Sequence, residues 1–112
     1  MQRYGMTLML KDDDEIVDRY KGYHRKAWPE VVSRLRETGI TEMRIYLIGR
    51  RMFMYMEAVD GFSPEREFPK LTQDPRYREW DELMRTLQVR APEARPDEWW
   101  ASMEEVFDLS SQ

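Results

Sequence analysis

The residues best suited to chemistry surround the only histidine of the chain, His24, which follows Tyr20 by four positions. On a helix these two side chains share one face, one above the other. Histidine has the side-chain pKa nearest neutrality and is therefore the usual proton donor or acceptor. A lone histidine on a helix is usually a solvated or core residue, and it is the neighbouring phenol that favours a catalytic role here.

A proline sets where this helix ends. Pro29 disfavours the helical conformation at Trp28, so we expect the first helix to end between His24 and Ala27. His24 then lies in the last turn, near unpaired carbonyl groups, where the helix dipole favours its protonated form. Burial in a pocket acts in the opposite direction, so the sequence leaves the net shift of its pKa open.

The composition excludes several classes of protein. A chain of 112 residues fits one globular domain, residues 1–112, and its net charge of −4 argues against a nucleic-acid-binding protein. The absence of cysteine excludes disulfides, thiolate metal sites and a cysteine nucleophile, and it fits a reducing cytoplasm. No apolar run reaches the roughly 18 residues of a membrane span, and no signal-peptide pattern opens the chain. We expect a cytoplasmic protein without nucleic-acid or membrane partners.

Hydrophobic periodicity predicts the order of the secondary structure. The predicted elements are a strand at Arg3–Leu10, a helix from Asp14 to Gly39 broken at Pro29, strands at Glu42–Ile48 and Met52–Val59, a helix at Arg76–Leu87 and a strand at Trp99–Leu109. Residues 60–69 and 91–97 are expected to be loops. This order is that of an α+β, ferredoxin-like βαββαβ fold with a four-stranded antiparallel sheet.

The predicted sheet has a second face that also looks apolar. In a ferredoxin-like fold the helices cover only one face of the sheet. Met9, Met54, Met56 and the C-terminal tryptophans suggest that the other face is apolar as well. A monomer exposing it would carry a sizeable hydrophobic patch, which a second copy could cover. We therefore expect a homodimer whose sheets pack face to face.

Two further side chains have both a structural and a functional interpretation. Glu57 shares one face of its strand with Phe53 and Tyr55, which fits either a rim position in water or a polar group aimed into a pocket. Trp80 lies on the apolar stripe of the late helix, where it can serve ordinary helix packing or stack on a ligand.

The segment His24–Glu30, with the sequence His-Arg-Lys-Ala-Trp-Pro-Glu and preceded by Tyr20, resembles the opening motif of the L-rhamnose mutarotase family. Further similar segments follow in the family's order along nearly the whole chain: Ile45–Leu47, Asp74-Pro75 with Trp80, and Glu98–Phe107, the last similar to fucose-type relatives. The resemblance implies a dimeric αβ barrel of ferredoxin-like subunits. It also implies that the protein interconverts the α and β anomers of a 6-deoxy-hexose, such as L-rhamnose or L-fucose, without a metal or an organic cofactor.

By this resemblance, His24 is the catalytic proton donor, Tyr20 binds the sugar, and Trp80 is the first residue of a sugar-contacting Trp-Trp pair. The second position of that pair is Asp81 here, and a tyrosine that usually begins the second strand is Met43. These two departures keep the acid–base group and alter the wall that contacts the sugar. The implied partner is a monosaccharide whose identity the sequence leaves open.

Anomer exchange requires that the ring oxygen gains a proton while the anomeric hydroxyl loses one. One imidazolium can supply the first proton, and water, Glu57 or Asp81 could take the other. Two other functions stay open. One is a different enzyme on the same scaffold, such as a cofactor-independent oxygenase or a haem-binding enzyme, and the other is a sugar-binding relative without catalysis.

Overall fold

The computed structural model describes all residues from 1 to 112 and contains four α-helices and five strands. Along the chain these are β1 (Gln2–Leu10), α1 (Asp14–Arg25), α2 (Pro29–Glu37), β2 (Ile40–Ile48), β3 (Arg51–Ala58), α3 (Pro64–Leu71), α4 (Pro75–Leu87), β4 (Gln88–Val89) and β5 (Ala101–Met103). The strands form one antiparallel sheet in the order β2-β3-β1-β4, and β5 also pairs with β1. This confirms the predicted α+β, ferredoxin-like fold. None of the helices combines the length and apolar composition needed to cross a membrane.

Local sequence signals set where α1 begins and ends and where α2 and α4 begin. The Asp13 carboxylate caps α1 by accepting a hydrogen bond of 2.8 Å from the Glu15 backbone N–H. α1 ends at Arg25, as predicted, and Pro29 begins α2 at a position where its missing N–H removes no helical bond. The Asp74 side chain caps α4 in the same way as Asp13 caps α1. The two caps therefore fix the starts of α1 and α4, and Pro29 fixes the start of α2.

The last strand is interrupted, which corrects the predicted strand at Trp99–Leu109. Antiparallel pairing with β1 begins at β4, stops for residues 90–100 and resumes only for the three residues of β5. In the interrupting loop the Arg90 guanidinium donates hydrogen bonds to the carbonyls of Glu98 and Ala94, at 2.9 and 3.3 Å. Alternating hydrophobicity indicates a segment with two faces, but it does not show whether a partner strand lies opposite.

The segment that follows β3, predicted to be a loop, contains helix α3. Pro64 occupies its first turn, whereas Pro69 lies inside the helix and removes a backbone donor there. Packing outweighs this cost, because Leu71 is buried and the Phe68 ring packs edge-on against Phe62 with centroids 6.2 Å apart. Two prolines are unfavourable for a helix of eight residues, and the contacts of Phe68 and Leu71 with the core stabilise it nonetheless.

The two faces of the sheet differ from the prediction in their composition. Met54 and Met56 are 8% and 0% exposed and belong to the core on the helix-covered face, not to the open face. Trp99 and Trp100 also pack against the core and line the cavity on the helix side. Both alternating sets of β3 are apolar, so the sequence did not show which set the helices cover. The open face carries a different set of exposed apolar side chains: Tyr46, Ile48, Phe53 and Met103.

Candidate active site

His24 lies half-buried in the last turn of α1, with its ring stacked on that of Tyr20 at a centroid distance of 4.1 Å. Its Nδ1 lies 2.9 Å from the backbone carbonyl oxygen of Tyr20. Because a carbonyl oxygen can only accept, Nδ1 carries a hydrogen, and Nε2 is the nitrogen left for a ligand. The neutral ring therefore presents a lone pair at Nε2, and the protonated ring presents an N–H donor at the same place.

Trp80 of α4 meets the end of α1 in T-shaped geometry. Its ring centroid lies 5.3 Å from that of His24 and 5.2 Å from that of Trp28. The central guanidinium carbon of Arg76 lies 3.7 Å from the centroid of the Trp28 ring, so a cation–π contact closes this aromatic cluster. Trp80 is only 7% exposed, as expected for helix packing, and it also lines the cavity beside His24.

A cavity of about 800 Å³ lies between the helices and the sheet, a volume typical of small-molecule sites. All four predicted site residues line it: Tyr20, His24, Trp80 and Asp81. Met43, one of the two departures that the family resemblance implies, lines it as well. Glu57 does not, since its Oε2 accepts a hydrogen bond of 2.7 Å from the Tyr55 hydroxyl on the open face of the sheet. The interpretation of Glu57 as the base of this cavity is therefore wrong.

Burial shifts the acidity of the groups around His24. Desolvation lowers the pKa of His24, and the hydrogen bond to the Tyr20 carbonyl opposes this shift only in part. Desolvation also raises the pKa of Tyr20 to about 12, so its phenol is neutral near pH 7. The pKa of Asp81 is raised by desolvation too, against the ion pair of 3.0 Å that its Oδ2 forms with Arg85 Nε. The pKa values of His24 and Asp81 thus move toward each other, which suits a proton donor and a proton acceptor that act on one ligand.

Two residues that the sequence analysis did not select complete the surroundings of Tyr20. Gln88, the first residue of β4, is 6% exposed, and no charged residue or other amide is as deeply buried. Its Nε2 lies 3.4 Å from the Tyr20 hydroxyl oxygen, and its Oε1 accepts a hydrogen bond of 2.9 Å from the indole N–H of Trp99. A single glutamine at a helix–strand junction gives no signal in the sequence, and only the fold brings it to Tyr20.

These side chains define a class of protein. A histidine, a neutral tyrosine and a carboxylate line one cavity on a ferredoxin-like scaffold, and no group of three or more His, Asp or Glu side chains is placed to hold a metal ion. Such a site can bind a small polar molecule and move protons on it. A sequence profile of the L-rhamnose mutarotase family matches residues 3–109. The chain belongs to this family of carbohydrate isomerases, which confirms the resemblance seen around His24.

Three curated relatives match most of this chain, and two of them are mutarotases. A Dictyostelium discoideum protein is 42% identical over 110 residues, covering 95% of this chain and 88% of its own length. The L-fucose mutarotase of Xanthomonas campestris is 35% identical over 112 residues, covering 98% of this chain and 90% of its own. The L-rhamnose mutarotase of Paraburkholderia phymatum is 32% identical over 81 residues, covering 70% of this chain and 71% of its own.

Solved structures of two enzymes share the fold. The L-rhamnose mutarotase of Formosa agariphila superimposes with a TM-score of 0.71 at 19% identity, covering 97% of this chain and 99% of that one. The tetracenomycin F2 cyclase of Streptomyces glaucescens, a polyketide cyclase, superimposes with a TM-score of 0.60 at 15% identity, with 96% of each chain covered. At these identities the two likenesses establish the scaffold, and a scaffold of this kind hosts more than one chemistry.

Proposed function

We propose that this chain interconverts the α and β anomers of a 6-deoxy-hexose and that His24 is its proton donor. The observation that carries the proposal is the position of His24, whose one free ring nitrogen is Nε2, on the wall of the cavity beside Trp80. The L-fucose mutarotase relative matches across 98% of this chain and the L-rhamnose mutarotase relative across 70%. L-fucose is therefore the first substrate to test, and L-rhamnose the second.

The proposed step opens the sugar ring. The imidazolium of His24 donates its Nε2 proton to the ring oxygen while the bond between that oxygen and the anomeric carbon breaks. The anomeric hydroxyl loses its proton in the same step, and its oxygen becomes the carbonyl oxygen of a free aldehyde. Rotation about the adjacent carbon–carbon bond, followed by the reverse proton transfers, closes the ring as the other anomer.

Asp81 is the proposed acceptor of the second proton. It lines the same cavity as His24, and 31% of its side chain stays exposed, so one oxygen can reach a ligand while Oδ2 pairs with Arg85. Its raised pKa makes it a stronger base than an ordinary aspartate. In this proposal Asp81, at a position where the resemblance implies a tryptophan, accepts a proton in addition to contacting the sugar.

Tyr20 and Trp80 are the proposed binding residues. The Tyr20 hydroxyl forms a hydrogen bond with a sugar oxygen, and the exposed part of the Trp80 ring contacts an apolar face of the sugar. Both side chains are held in place before the sugar binds, Tyr20 by its stacking on His24 and Trp80 by the rings around it. Preorganisation of this kind lowers the cost of ordering the site on binding.

The test is saturation-transfer NMR on a panel of unlabelled sugars that includes L-fucose, L-rhamnose and their 6-hydroxylated counterparts. Irradiating one anomeric proton transfers saturation to the other anomer only when the protein exchanges them. We expect exchange with at least one 6-deoxy-hexose. If the sugar signals broaden but no sugar of the panel shows exchange, the proposal is wrong and the protein binds sugars without catalysis.

We also propose that two copies assemble through the open face of the sheet. Tyr46 and Phe53 stack there with centroids 6.4 Å apart and are 56% and 39% exposed. The segment after β5 adds Val106, Phe107 and Leu109, which are at least 66% exposed. Exposed apolar side chains of this number favour a contact surface, and an isologous dimer would cover the same surface on both copies at once.

A further inference from the structure

The most deeply buried amide of the chain belongs to a directed chain of hydrogen bonds that ends at the proposed binding site. Gln88 joins Trp99, 2.9 Å from its Oε1, to the Tyr20 hydroxyl, 3.4 Å from its Nε2. Tyr20 is 4% exposed and stacks on His24, so this chain ends on a side chain that lines the cavity. Glutamine buried at this depth is uncommon unless both ends of its amide have partners.

The direction of this chain follows from the chemistry of its members. The indole N–H of Trp99 can only donate, so the Gln88 atom facing it must be the carbonyl oxygen. The amide nitrogen of Gln88 must then face Tyr20, and it can only donate to the Tyr20 oxygen. With one lone pair of Tyr20 engaged in this way, the phenolic hydrogen is directed away from Gln88 and is free to donate elsewhere.

We propose that Gln88, held by Trp99, is a positioning residue that makes the Tyr20 hydroxyl a hydrogen-bond donor to the substrate. This inference rests on the proposed function, because it assigns the polarity of one contact in the same site. Tyr20 then recognises a sugar oxygen that accepts, while the protonated His24 Nε2 supplies the proton that is transferred. The high pKa of Tyr20, about 12, agrees with a phenol that stays protonated throughout.

The first test is a double-mutant cycle on anomer exchange. We expect Gln88→Met, which keeps the length of the side chain and removes both hydrogen bonds, to lower kcat about threefold to tenfold, as for loss of one neutral hydrogen bond. In a Tyr20→Phe background the same substitution should lower kcat less than about twofold, because Gln88 then has no hydroxyl to orient. Equal losses in both backgrounds would overturn the proposal and leave Gln88 as a packing residue.

Two further variants separate positioning from folding. Trp99→Phe removes the indole donor and keeps a smaller aromatic ring, so we expect a smaller loss than that of Gln88→Met and no added loss when the two are combined. Gln73→Met makes the same substitution at an exposed position and should leave kcat unchanged. A loss with Gln73→Met as large as that with Gln88→Met would overturn the assignment.

The second test does not depend on catalysis. The ζ-carbon chemical shift of Tyr20, measured by NMR in the sugar-free protein with labelled tyrosine, reports whether its hydroxyl accepts or donates. We expect this shift to change in Gln88→Met and to stay unchanged in Gln73→Met. An unchanged shift in folded Gln88→Met overturns the positioning role, even if the wild type exchanges anomers. A changed shift in a protein that exchanges no sugar supports the polarity of Tyr20 and defeats only the proposed function.

Discussion

The two sides of the sheet both hold a tyrosine and a carboxylate, on the covering helices on one side and on strand β3 on the other, and they differ in what surrounds these groups. On the helix side, Tyr20 and Asp81 line a cavity together with His24. On the open side, the Tyr55 hydroxyl donates to Glu57 at 2.7 Å, so a phenol and a carboxylate are again together. In the open pair the two groups satisfy each other, and the hydrogen bond to Glu57 is the main reason that the pKa of Tyr55 is raised.

On the helix side, burial dominates the acidities. Desolvation is the largest cause of the shifts of His24, Tyr20 and Asp81, and it leaves a histidine that gives up its proton more readily and an aspartate that takes one more readily. The comparison teaches that residue types alone do not make this site. In the proposed site, Tyr20 and Asp81 line a cavity beside His24, whereas on the open face the Tyr55 hydroxyl and the Glu57 carboxylate bond to each other outside any such cavity.

The comparison between the two sides of the sheet is tested most directly by removing the proposed proton donor, His24. We expect His24→Asn to lower the rate of anomer exchange by about a hundredfold or more, the lower range for a positioned general acid. The fold should persist, because the only hydrogen bond of the ring is the local one to the Tyr20 carbonyl. Exchange is measured by saturation-transfer NMR and folding by a cooperative thermal transition. Full activity in a folded His24→Asn protein would show that the proton comes from another group.

The pH dependence follows from the lowered pKa of His24. The donor form is the imidazolium, so the rate should fall as pH rises through a midpoint below the ordinary histidine value of 6.5. Far above the midpoint the loss approaches about tenfold per pH unit. Stability should change in the opposite sense: the unfolded chain binds the proton more readily, so the free energy of unfolding decreases as pH falls from 6.5.

This pH prediction is measured as kcat/KM over a range that includes pH 5 to 8, roughly one and a half units to either side of the free histidine pKa. His24→Asn serves as the control for stability, since the part of the pH dependence due to His24 disappears in that variant. A rate that rises with pH through this region would make the neutral imidazole, acting as a base, the active form.

The two carboxylates provide a matched pair of substitutions. We expect Asp81→Asn to lower exchange by about tenfold to a hundredfold, because it removes the proposed proton acceptor and keeps the shape of the side chain. Glu57→Gln makes the equivalent change on the open face and should leave exchange within about twofold of the wild type, a change below 0.5 kcal/mol. Both are compared at saturating sugar. Equal effects of the two substitutions would remove the distinction between the faces.

Much of the helix side could be predicted from local signals. The end of α1 at Arg25 and the start of α2 at Pro29 depend on a proline, whose effects are covalent and act on adjacent residues. The spacing of Tyr20, His24 and the residues after it supplied the family resemblance. The cavity therefore contains all four residues that the sequence had selected, although the selection of Trp80 and Asp81 required that resemblance.

What the sequence did not predict depends on contacts between distant segments. Gln88 lies in β4, a two-residue strand before the predicted loop at residues 91–97, and no local pattern marks so short a strand or its contacts with Tyr20 and Trp99. The assignment of Met54 and Met56 to the open face failed for a related reason. Period-2 alternation shows that two faces exist, and only the position of the helices decides which one becomes the core.

Assembly is the next test of the open face. We expect the wild type to be a dimer at micromolar concentration and Phe53→Asp to be monomeric, because an isologous interface would bring both new charges into one apolar contact. Lys21→Asp, a charge change on the exposed side of α1, should remain dimeric. Light scattering measures all three proteins. A monomeric wild type would leave the exposed Tyr46–Phe53 pair without the proposed role.

The smallest expected effect is a change in the free energy of unfolding, measured at two glycines on opposite sides of the sheet. Gly22 is exposed in the middle of α1, and a Cβ built there meets no atom within 4 Å. Gly22→Ala should therefore raise the free energy of unfolding by about 1 kcal/mol, the difference in helix propensity between the two residues. Gly5 lies in β1 on the open face, where a Cβ would come within 3.1 Å of the Phe53 ring. Gly5→Ala should gain less, since the propensity gain is offset by displacement of that ring. Urea unfolding of both variants measures the difference, and a larger gain at Gly5 would show that Phe53 is free to move and not fixed at an interface.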